Sequence, residues 1–127
     1  MVILVADDVP RIVEIVTTGL RKHGYQVVAA SDGREALQQL RSRLIDLVIS
    51  DVDMPRMNGI DLVRSIKQDP RLRGIPVMFV SYKDREEDRM RGLEAGADYY
   101  LTKSDFHDEQ LVRAVHDLVG EAAGGSR

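Results

Sequence analysis

The sequence predicts an α/β fold in which a doubly wound parallel sheet of five strands is covered by five helices. Short apolar runs alternate along the chain with segments whose apolar residues recur three or four positions apart, as in amphipathic helices. Several of these runs are apolar almost throughout, which is typical of strands covered on both faces. Because crossovers between parallel strands are right-handed, five strand–helix repeats leave few other topologies.

Five segments have the length and composition of strands. The first, third and fourth are the nearly continuous apolar runs. Pro76 opens the fourth, where a missing backbone N–H is tolerated. The predicted strands are Val2–Ala6, Gln26–Ala30, Leu47–Ser50, Val77–Val80 and Asp98–Leu101.

A stripe of apolar residues at helical spacing follows each predicted strand. Pro10 suits the first turn of the first helix, and Gly24 lies where that helix should end. The fourth helix, predicted from Asp84 to Glu94, is dense in alternating charge. The stripes are Ile12, Val16 and Leu20; Ala36, Leu37, Leu40 and Leu44; Ile60, Val63 and Ile66; Met90 and Leu93; and Leu111, Val115, Leu118 and Val119.

Length and composition are those of a single domain. The chain has 127 residues, of which 43% are hydrophobic, and that is enough for one buried core. We predict one domain over residues 1–120. Residues 121–127, which include Gly124 and Gly125, read as a flexible tail or linker stub.

Composition also excludes several classes of function. The formal net charge of −3 implies no general attraction to nucleic acid or to anionic membranes. The absence of cysteine excludes disulfides, thiolate metal sites and cysteine nucleophiles. The first apolar run has no basic residues before it and is too short to span a membrane, so we expect a cytoplasmic domain.

Two pairs of aspartates follow strands that should be neighbours. Asp7 and Asp8 come after the first strand, and Asp51 and Asp53 after the third. In the strand order 2-1-3-4-5, which is carried over from the flavodoxin-like fold class, these strands flank the switch point where ligands bind. Aspartate at one strand end is usually a turn residue. Two such pairs together predict a cation site, and oxygen ligands without histidine or cysteine favour Mg²⁺.

Two further residues should reach the same edge of the sheet. Lys103 follows the fifth strand, and Ser81 ends the fourth. A lysine is a point charge for phosphate oxygens, and a hydroxyl donates a hydrogen bond to them. Either residue alone would be read as an ordinary surface or turn residue. Together with the aspartates they predict a phosphoryl-transfer site.

The motifs, in this order, resemble the receiver domains of bacterial response regulators, the CheY-like family. The residues that carry the resemblance are Asp7-Asp8, the stretch DLVISDVDMPRMNG at 46–59, Ser81, and YLTK at 100–103. The similarity extends over about residues 2–119, which is nearly the whole chain. Four separate motifs at matching spacing make it a specific resemblance.

The resemblance implies a phosphoacceptor site with a bound Mg²⁺. Asp51 would be the nucleophile that takes a phosphoryl group from a histidine kinase or a phosphotransfer domain. Asp8 and Asp51 would bind Mg²⁺ through side-chain oxygens, Asp53 through its backbone carbonyl, and Asp7 through a water molecule. Lys103 would contact the phosphoryl group. The domain would assist its own phosphorylation and dephosphorylation only, and would be no enzyme otherwise.

The resemblance also implies how the signal leaves the site. Ser81 would move to hydrogen-bond the phosphoryl group, and Tyr100 would turn inward as the switch aromatic. The surface of the fourth helix, fifth strand and fifth helix would then change for an unknown downstream protein or output domain. The domain would be a monomer or a weak phosphorylation-dependent dimer, without nucleic-acid or membrane contacts of its own.

The chain departs from the family in the loop after Lys103. The family usually has a proline there, after a cis bond, where this chain has Ser104. A cis bond before a non-proline residue costs about 2.5–4 kcal/mol, so the state of this bond stays open. Ser104 and the nearby Phe106 resemble receivers fused to chemotaxis-type hybrid histidine kinases.

A second departure lies beside Ser81. Tyr82 occupies a position that is normally small, where it could shield the phosphoryl group. Asp53 and Lys83 lie at positions that tune phosphoryl lifetime in the family, and they could form a salt bridge.

Three alternatives share part of the pattern. Asp51-Val-Asp53 fits the nucleophile motif of haloacid-dehalogenase-type phosphatases, but that motif usually ends the first strand. A flavodoxin-type electron carrier would need a Ser/Thr/Gly-rich phosphate loop after the first strand, and none is present. A pseudo-receiver, which only binds proteins, usually lacks part of the acidic pocket or the lysine. Both are present here, which favours a phosphorylatable domain.

Overall fold

The computed structural model of the chain describes residues 1–103 and 108–120, and strands and helices alternate through them. The five predicted strands are confirmed to within one residue at each end. The elements are β1 (Val2–Ala6), α1 (Pro10–Lys22), β2 (Gln26–Ala30), α2 (Gly33–Ser42), β3 (Leu47–Ser50), α3 (Gly59–Gln68), β4 (Val77–Ser81), α4 (Glu86–Ala95), β5 (Tyr99–Thr102) and α5 (Asp108–Val119).

The strands form one parallel sheet in the order β2-β1-β3-β4-β5, which confirms the predicted doubly wound topology. The register decides what meets at its carboxyl edge. Ala6 pairs with Ser50, so the residues that follow β1 and β3 emerge side by side. Ser81 pairs with Thr102, the residue before Lys103. The carboxyl ends of β1, β3, β4 and β5 therefore lie at one edge of the sheet, together with the predicted site residues that end or follow these strands.

The sheet separates two apolar layers. Alternate residues of each strand face opposite sides, so Leu4 packs into one layer and Ile3 into the other. The first layer includes Leu62 and Ile66 of α3, and the second includes Leu20 of α1 together with residues of α5. Strands buried on both faces explain the nearly continuous apolar runs in the sequence.

Side-chain caps begin two of the helices. The Asp32 carboxylate accepts a hydrogen bond from the Glu35 backbone N–H at 2.8 Å at the start of α2. The Asn58 side chain accepts one from the Asp61 N–H at 2.8 Å at the start of α3. Such caps satisfy backbone donors that a helix leaves unpaired, and each is worth about 1 kcal/mol. Gly24 follows α1 with φ 90°, as its predicted role as a stop requires.

Two expectations about helices were wrong in detail. Leu44 was assigned to the apolar stripe of α2, but that helix ends at Ser42 and the Leu44 side chain is 91% exposed. The chain is extended at Arg43, which breaks the helical period, and Ile45 takes the buried position instead. The fourth helix begins at Glu86 rather than Asp84, and Met90 of its predicted stripe is 46% exposed.

Three expectations concern residues outside the described ranges. The first is the flexible tail at 121–127. The others are the state of the bond before Ser104, where the family usually has proline, and the resemblance of Ser104 and Phe106 to receivers fused to chemotaxis-type kinases. Within residues 1–103 and 108–120, no helix combines the length and apolar character that crossing a membrane would require.

Candidate functional site

Three carboxylates meet at the carboxyl edge of the sheet. Asp7, Asp8 and Asp51 each offer an oxygen, and these oxygens lie within 4.8 Å of one another. Asp7 is buried, Asp51 is half-buried and Asp8 is exposed, so the group opens to solvent on one side. An oxygen-only donor set with an open side suits Mg²⁺, which binds few carboxylates and keeps part of its water shell. The residues therefore fit the predicted ion.

The backbone holds two of these carboxylates in place. Asp51 Oδ1 accepts a hydrogen bond from the Val52 N–H at 2.8 Å, and Asp7 Oδ1 accepts one from the Val9 N–H at 3.0 Å. The Asp51 N–H in turn donates to the Ala6 carbonyl at 2.9 Å, which extends the pairing of β1 with β3. Each carboxylate thus has one oxygen oriented by the chain and a second that faces the cluster.

Lys103 inserts its ammonium group into the cluster. Its Nζ lies 2.7 Å from Asp7 Oδ2 and 3.6 Å from Asp51 Oδ2, and its side chain is only 5% exposed. A buried ammonium needs paired anions, and these two carboxylates supply them. The structure therefore brings together Lys103 and the aspartates that the sequence predicts to act with it.

Burial and neighbouring negative charge make Asp51 ionise at a higher pH than an ordinary aspartate does. Burial raises the pKa of Asp51 to about 6, and the neighbouring charges of Asp7 and Asp53 act in the same direction. The ammonium of Lys103 favours the ionised form but does not offset burial. A divalent ion at the open side would lower this pKa and so favour the carboxylate form that a nucleophile needs.

We predict a pH-dependent stabilisation on replacing Asp51 by asparagine in metal-free protein. A carboxyl whose folded pKa lies above its unfolded pKa costs stability as pH rises from about 4 through about 6. The free energy of unfolding of Asp51→Asn should therefore exceed that of the wild type by about 1–3 kcal/mol at pH 7.5, and the difference should vanish near pH 4. Urea unfolding with EDTA at several pH values measures this. Glu14→Gln, at an exposed side chain on α1, is the control, and parallel curves for wild type and Asp51→Asn would contradict the prediction.

Ser81 and Tyr100 are both tied to the backbone of Lys83. The Lys83 N–H donates to Ser81 Oγ at 3.1 Å, and the Tyr100 hydroxyl donates to the Lys83 carbonyl at 2.8 Å. Tyr100 is buried, with its ring edge-on to Phe79 at a centroid distance of 6.2 Å. Ser81 and the predicted switch aromatic, Tyr100, therefore both hydrogen-bond to the backbone of the same residue just after β4.

Asp53 lies at the rim, where its carboxylate is apart from the three-carboxylate group. Its carboxylate is 70% exposed and contacts Lys83 Nζ at 3.4 Å, which confirms the predicted salt bridge. An exposed pair of this kind is worth little to stability, about 1 kcal/mol at most. Its side chain is directed to the surface, so only its backbone carbonyl is left for the role predicted at the metal site.

Tyr82 covers the lysine from the solvent side. The Lys103 Nζ lies 5.2 Å from the centroid of the Tyr82 ring, and Tyr82 is itself 65% exposed. A cation over an aromatic face at this distance is attracted to it. The sequence singled out Tyr82 for its size but not for this contact, which depends on the pairing of β4 with β5.

Asp32 and Arg56 form an ion pair that no sequence signal predicted. Arg56 Nε donates to Asp32 Oδ2 at 2.7 Å, and the Asp32 side chain is only 4% exposed. An aspartate before a glycine and a helical stripe is the cap signal that could have drawn attention to Asp32. Nothing in the local pattern points to Arg56, which lies 24 residues further along.

This chain is similar in sequence to known proteins. A family model described as a response regulator receiver domain matches residues 3–116. The alkaline phosphatase synthesis transcriptional regulatory protein PhoP of Bacillus subtilis is 40% identical over 80% of this chain and 41% of its own length. Protein PilH of Pseudomonas aeruginosa is 36% identical over 92% of this chain and 96% of its own. This chain spans less than half the length of several other curated relatives that it matches.

A solved structure shows the same fold. A putative response regulator from Chloroflexus aurantiacus superposes with a TM-score of 0.90 at 32% identity, and the match covers 94% of this chain and 98% of that one. The match covers nearly the whole of both chains, so it supports the strand order of the sheet.

Proposed function

The chain belongs to the response regulator receiver domain family, and on that premise we propose that Asp51 is its phosphoacceptor, with Mg²⁺ bound beside it. Receiver domains of this family are regulatory phosphoacceptors of two-component systems rather than enzymes that turn over a substrate. One observation carries the proposal. Three carboxylates and a buried ammonium group meet at the carboxyl ends of β1, β3 and β5.

The proposed metal ligands follow from the positions of the aspartates. Asp8 and Asp51 would bind Mg²⁺ through side-chain oxygens, Asp53 through its backbone carbonyl, and Asp7 through a water molecule. The absence of nitrogen and sulfur donors from the cluster of described residues supports this choice of ion. When bound, the ion neutralises charge on the nucleophile and on the incoming phosphoryl group.

The chain's own residues would carry the transfer itself. A side-chain oxygen of Asp51 attacks phosphorus in line, the oxygen–phosphorus bond forms, and the bond from phosphorus to the donor histidine nitrogen breaks. The electron pair of the broken bond stays with the imidazole. Lys103 Nζ, at 2.7 Å from Asp7 and 3.6 Å from Asp51, would contact the phosphoryl oxygens.

Ser81 and Tyr100 would pass the event to the surface. If the Ser81 hydroxyl turns to the phosphoryl group, its hydrogen bond from the Lys83 N–H is lost. The Lys83 carbonyl accepts from the Tyr100 hydroxyl, so movement of Lys83 also changes the support of the aromatic ring. The surface of α4, β5 and α5 would be remodelled as a result. The downstream protein or output domain that reads this surface remains to be identified.

Two rim features are proposed to set how long the phosphoryl group lasts. Tyr82 lies over Lys103 and would screen it from water and from small phosphodonors. The Asp53–Lys83 salt bridge closes the rim on the side toward α4. Tyr82, Asp53 and Lys83 have exposed side chains, so these contacts can open when a partner docks.

Further parts of the proposal concern the whole protein. We place the receiver unit at residues 1–120 and regard 121–127 as a tail or linker. The donor would be a histidine kinase or a phosphotransfer domain in the cytoplasm, and the source protein would be of the type fused to chemotaxis kinases. The domain would act as a monomer or a weak phosphorylation-dependent dimer, with no nucleic-acid or membrane contacts.

The proposal is tested by phosphoryl uptake from acetyl phosphate. With Mg²⁺, intact-mass measurement should show the gain of one phosphoryl group, and hydroxylamine or mild alkali should remove it, as expected of an acyl phosphate. With EDTA in place of Mg²⁺ the gain should fall by at least about tenfold, because the charge on the nucleophile and on the donor is then unbalanced. No uptake from acetyl phosphate, phosphoramidate or a phosphorylated kinase would mean a domain that only binds proteins.

A further inference from the structure

Asp32 is a buried carboxylate with both oxygens satisfied, away from the carboxylate cluster. Its Oδ1 accepts from the Glu35 backbone N–H at 2.8 Å, and its Oδ2 accepts from Arg56 Nε at 2.7 Å and lies 2.5 Å from Arg56 Nη2. The hydrogen bond from Glu35, with the help of Arg56, holds the pKa of Asp32 below its ordinary value even though burial acts the other way. Asp32 therefore remains a charged anchor for Arg56.

Arg56 holds a backbone conformation that disfavours it. Its φ is 64°, in the left-handed region, and among the described residues it is the only non-glycine with a positive φ. Such a conformation costs about 1 kcal/mol or more for a residue with a Cβ, so glycine would be the less strained choice. An arginine at this position can make a side-chain contact that glycine cannot. Here that contact is the pair with Asp32.

A second contact joins the same two segments. The Gly33 N–H donates to the Met57 carbonyl at 2.9 Å. A Cβ at Gly33 would lie 2.4 Å from that carbonyl oxygen, so any larger residue would force one of the two backbones to shift. Two residues at the start of α2 therefore hold this loop. Asp32 binds the Arg56 side chain, and the Gly33 backbone binds the Met57 backbone.

The other end of the loop is closed against Asp51. The Gly59 N–H donates to the Val52 carbonyl at 2.8 Å, and a Cβ at Gly59 would lie 2.2 Å from the Asp51 carbonyl oxygen. The loop of residues 52–58 thus returns on itself directly behind the phosphoacceptor position. Asp53 lies in this loop, between Val52, whose carbonyl closes the loop against Gly59, and the anchor at Arg56.

We propose that Asp32 and Arg56 are positioning residues for the metal site, which hold the 52–58 loop so that the Asp53 carbonyl is presented to Mg²⁺. The inference rests on the proposed function, since it assumes that Asp53 supplies that carbonyl. Neither residue touches the ion or the phosphoryl group. The pair acts through the loop, in the way that outer groups orient metal ligands elsewhere.

Two variants separate positioning from stability. Asp32→Asn keeps a side-chain cap for Glu35, because asparagine caps helices as well as aspartate, but loses the charge that holds Arg56. Arg56→Gly loses the pair and also removes the left-handed strain, so it should fold with little loss of stability. Both variants should bind Mg²⁺ about tenfold more weakly than the wild type, the lower end of the effect of removing groups that orient metal ligands.

The experiment titrates the full 127-residue chain with Mg²⁺ alone and follows backbone amide NMR shifts. Amide hydrogen exchange in metal-free protein is the second measurement, and residues 52–58 should exchange faster in both variants. Arg71→Gln is the matched control, because its side chain is 81% exposed and its pair with Asp69 is long, at 3.8 Å. It should leave both Mg²⁺ affinity and loop exchange unchanged.

The outcomes distinguish this inference from the proposed function. Equal Mg²⁺ affinity in wild type, Asp32→Asn and Arg56→Gly would overturn the positioning role and leave the proposed function intact, even if loop exchange rose. A wild type without Mg²⁺ affinity would overturn the metal site and the inference with it. If Asp32→Asn fails to fold, Arg56→Gly alone decides, because its backbone is relieved of strain.

Discussion

Asp51→Asn is expected to abolish covalent phosphoryl uptake, while Asp53→Asn, two residues away, retains it. The amide of asparagine has no anionic oxygen to attack phosphorus, and the carboxylate of Asp51 is the one that faces both Asp7 and Lys103. Asp53 has an exposed carboxylate and is proposed to contribute only its backbone carbonyl, which substitution leaves in place. Intact-mass measurement after incubation with acetyl phosphate and Mg²⁺ compares the two variants with the wild type.

The expected loss in Asp51→Asn is at least about a thousandfold, because no other described carboxylate combines half-burial with a contact to Lys103 at the open side. Equal labelling of Asp51→Asn and wild type would contradict the assignment of the acceptor. Peptide mapping would then show which carboxylate takes the group, with Asp7 and Asp8 as the nearest candidates. Loss of labelling in Asp53→Asn as well would point to a carboxylate role for Asp53 that the structure does not suggest.

Leu62→Ala is expected to cost about 2–5 kcal/mol of folding free energy, whereas Leu44→Ala should change it by about 0.5 kcal/mol or less. The two substitutions remove the same atoms. Leu62 is fully buried in the layer between the sheet and α3, and its truncation leaves a cavity. Leu44 is 91% exposed, so its truncation removes little from the core. Urea unfolding at pH 7 measures both.

The expected difference between the two variants is a large fraction of the total stability, because a domain of this size is stable by only about 5–15 kcal/mol. A cost above about 2 kcal/mol for Leu44→Ala would mean that this leucine is covered in solution, for example by a further part of the protein. A small cost for Leu62→Ala would mean that α3 repacks around the missing side chain. The m-value should stay constant in both variants if the denatured state is unchanged.

Much of the fold was predictable because its signals are local. The runs that became β1, β3 and β4 are apolar on both faces, and their short length and rich content of β-branched residues favour strands over helices. Prediction failed where the local pattern ran past an element's end. Leu44 has the helical spacing of α2 but follows Ser42, where the backbone has already become extended. The stripe in α4 was weak because that helix buries only Gly92 completely.

The candidate site was predictable in its members but not in its contacts. Asp7, Asp8 and Asp51 could be grouped from their places after two strands, given the strand order. The sequence could not predict which carboxylate pairs with Lys103, because a lysine side chain reaches several positions along the sheet edge. The structure pairs it with Asp7 more closely than with Asp51. The contact of Tyr82 with Lys103 likewise depends on side-chain directions that no spacing encodes.

The sequence by itself determined the alternation of strands and helices, the chemical types at the strand ends and the family, because these follow from period and motif order. Only the tertiary structure decided the ion pair of Asp32 with Arg56, the left-handed backbone at Arg56 and the burial of Lys103. The physical reason is distance along the chain. Contacts between residues 24 or 96 positions apart exist only when packing of the whole sheet brings them together, and no local propensity carries that information.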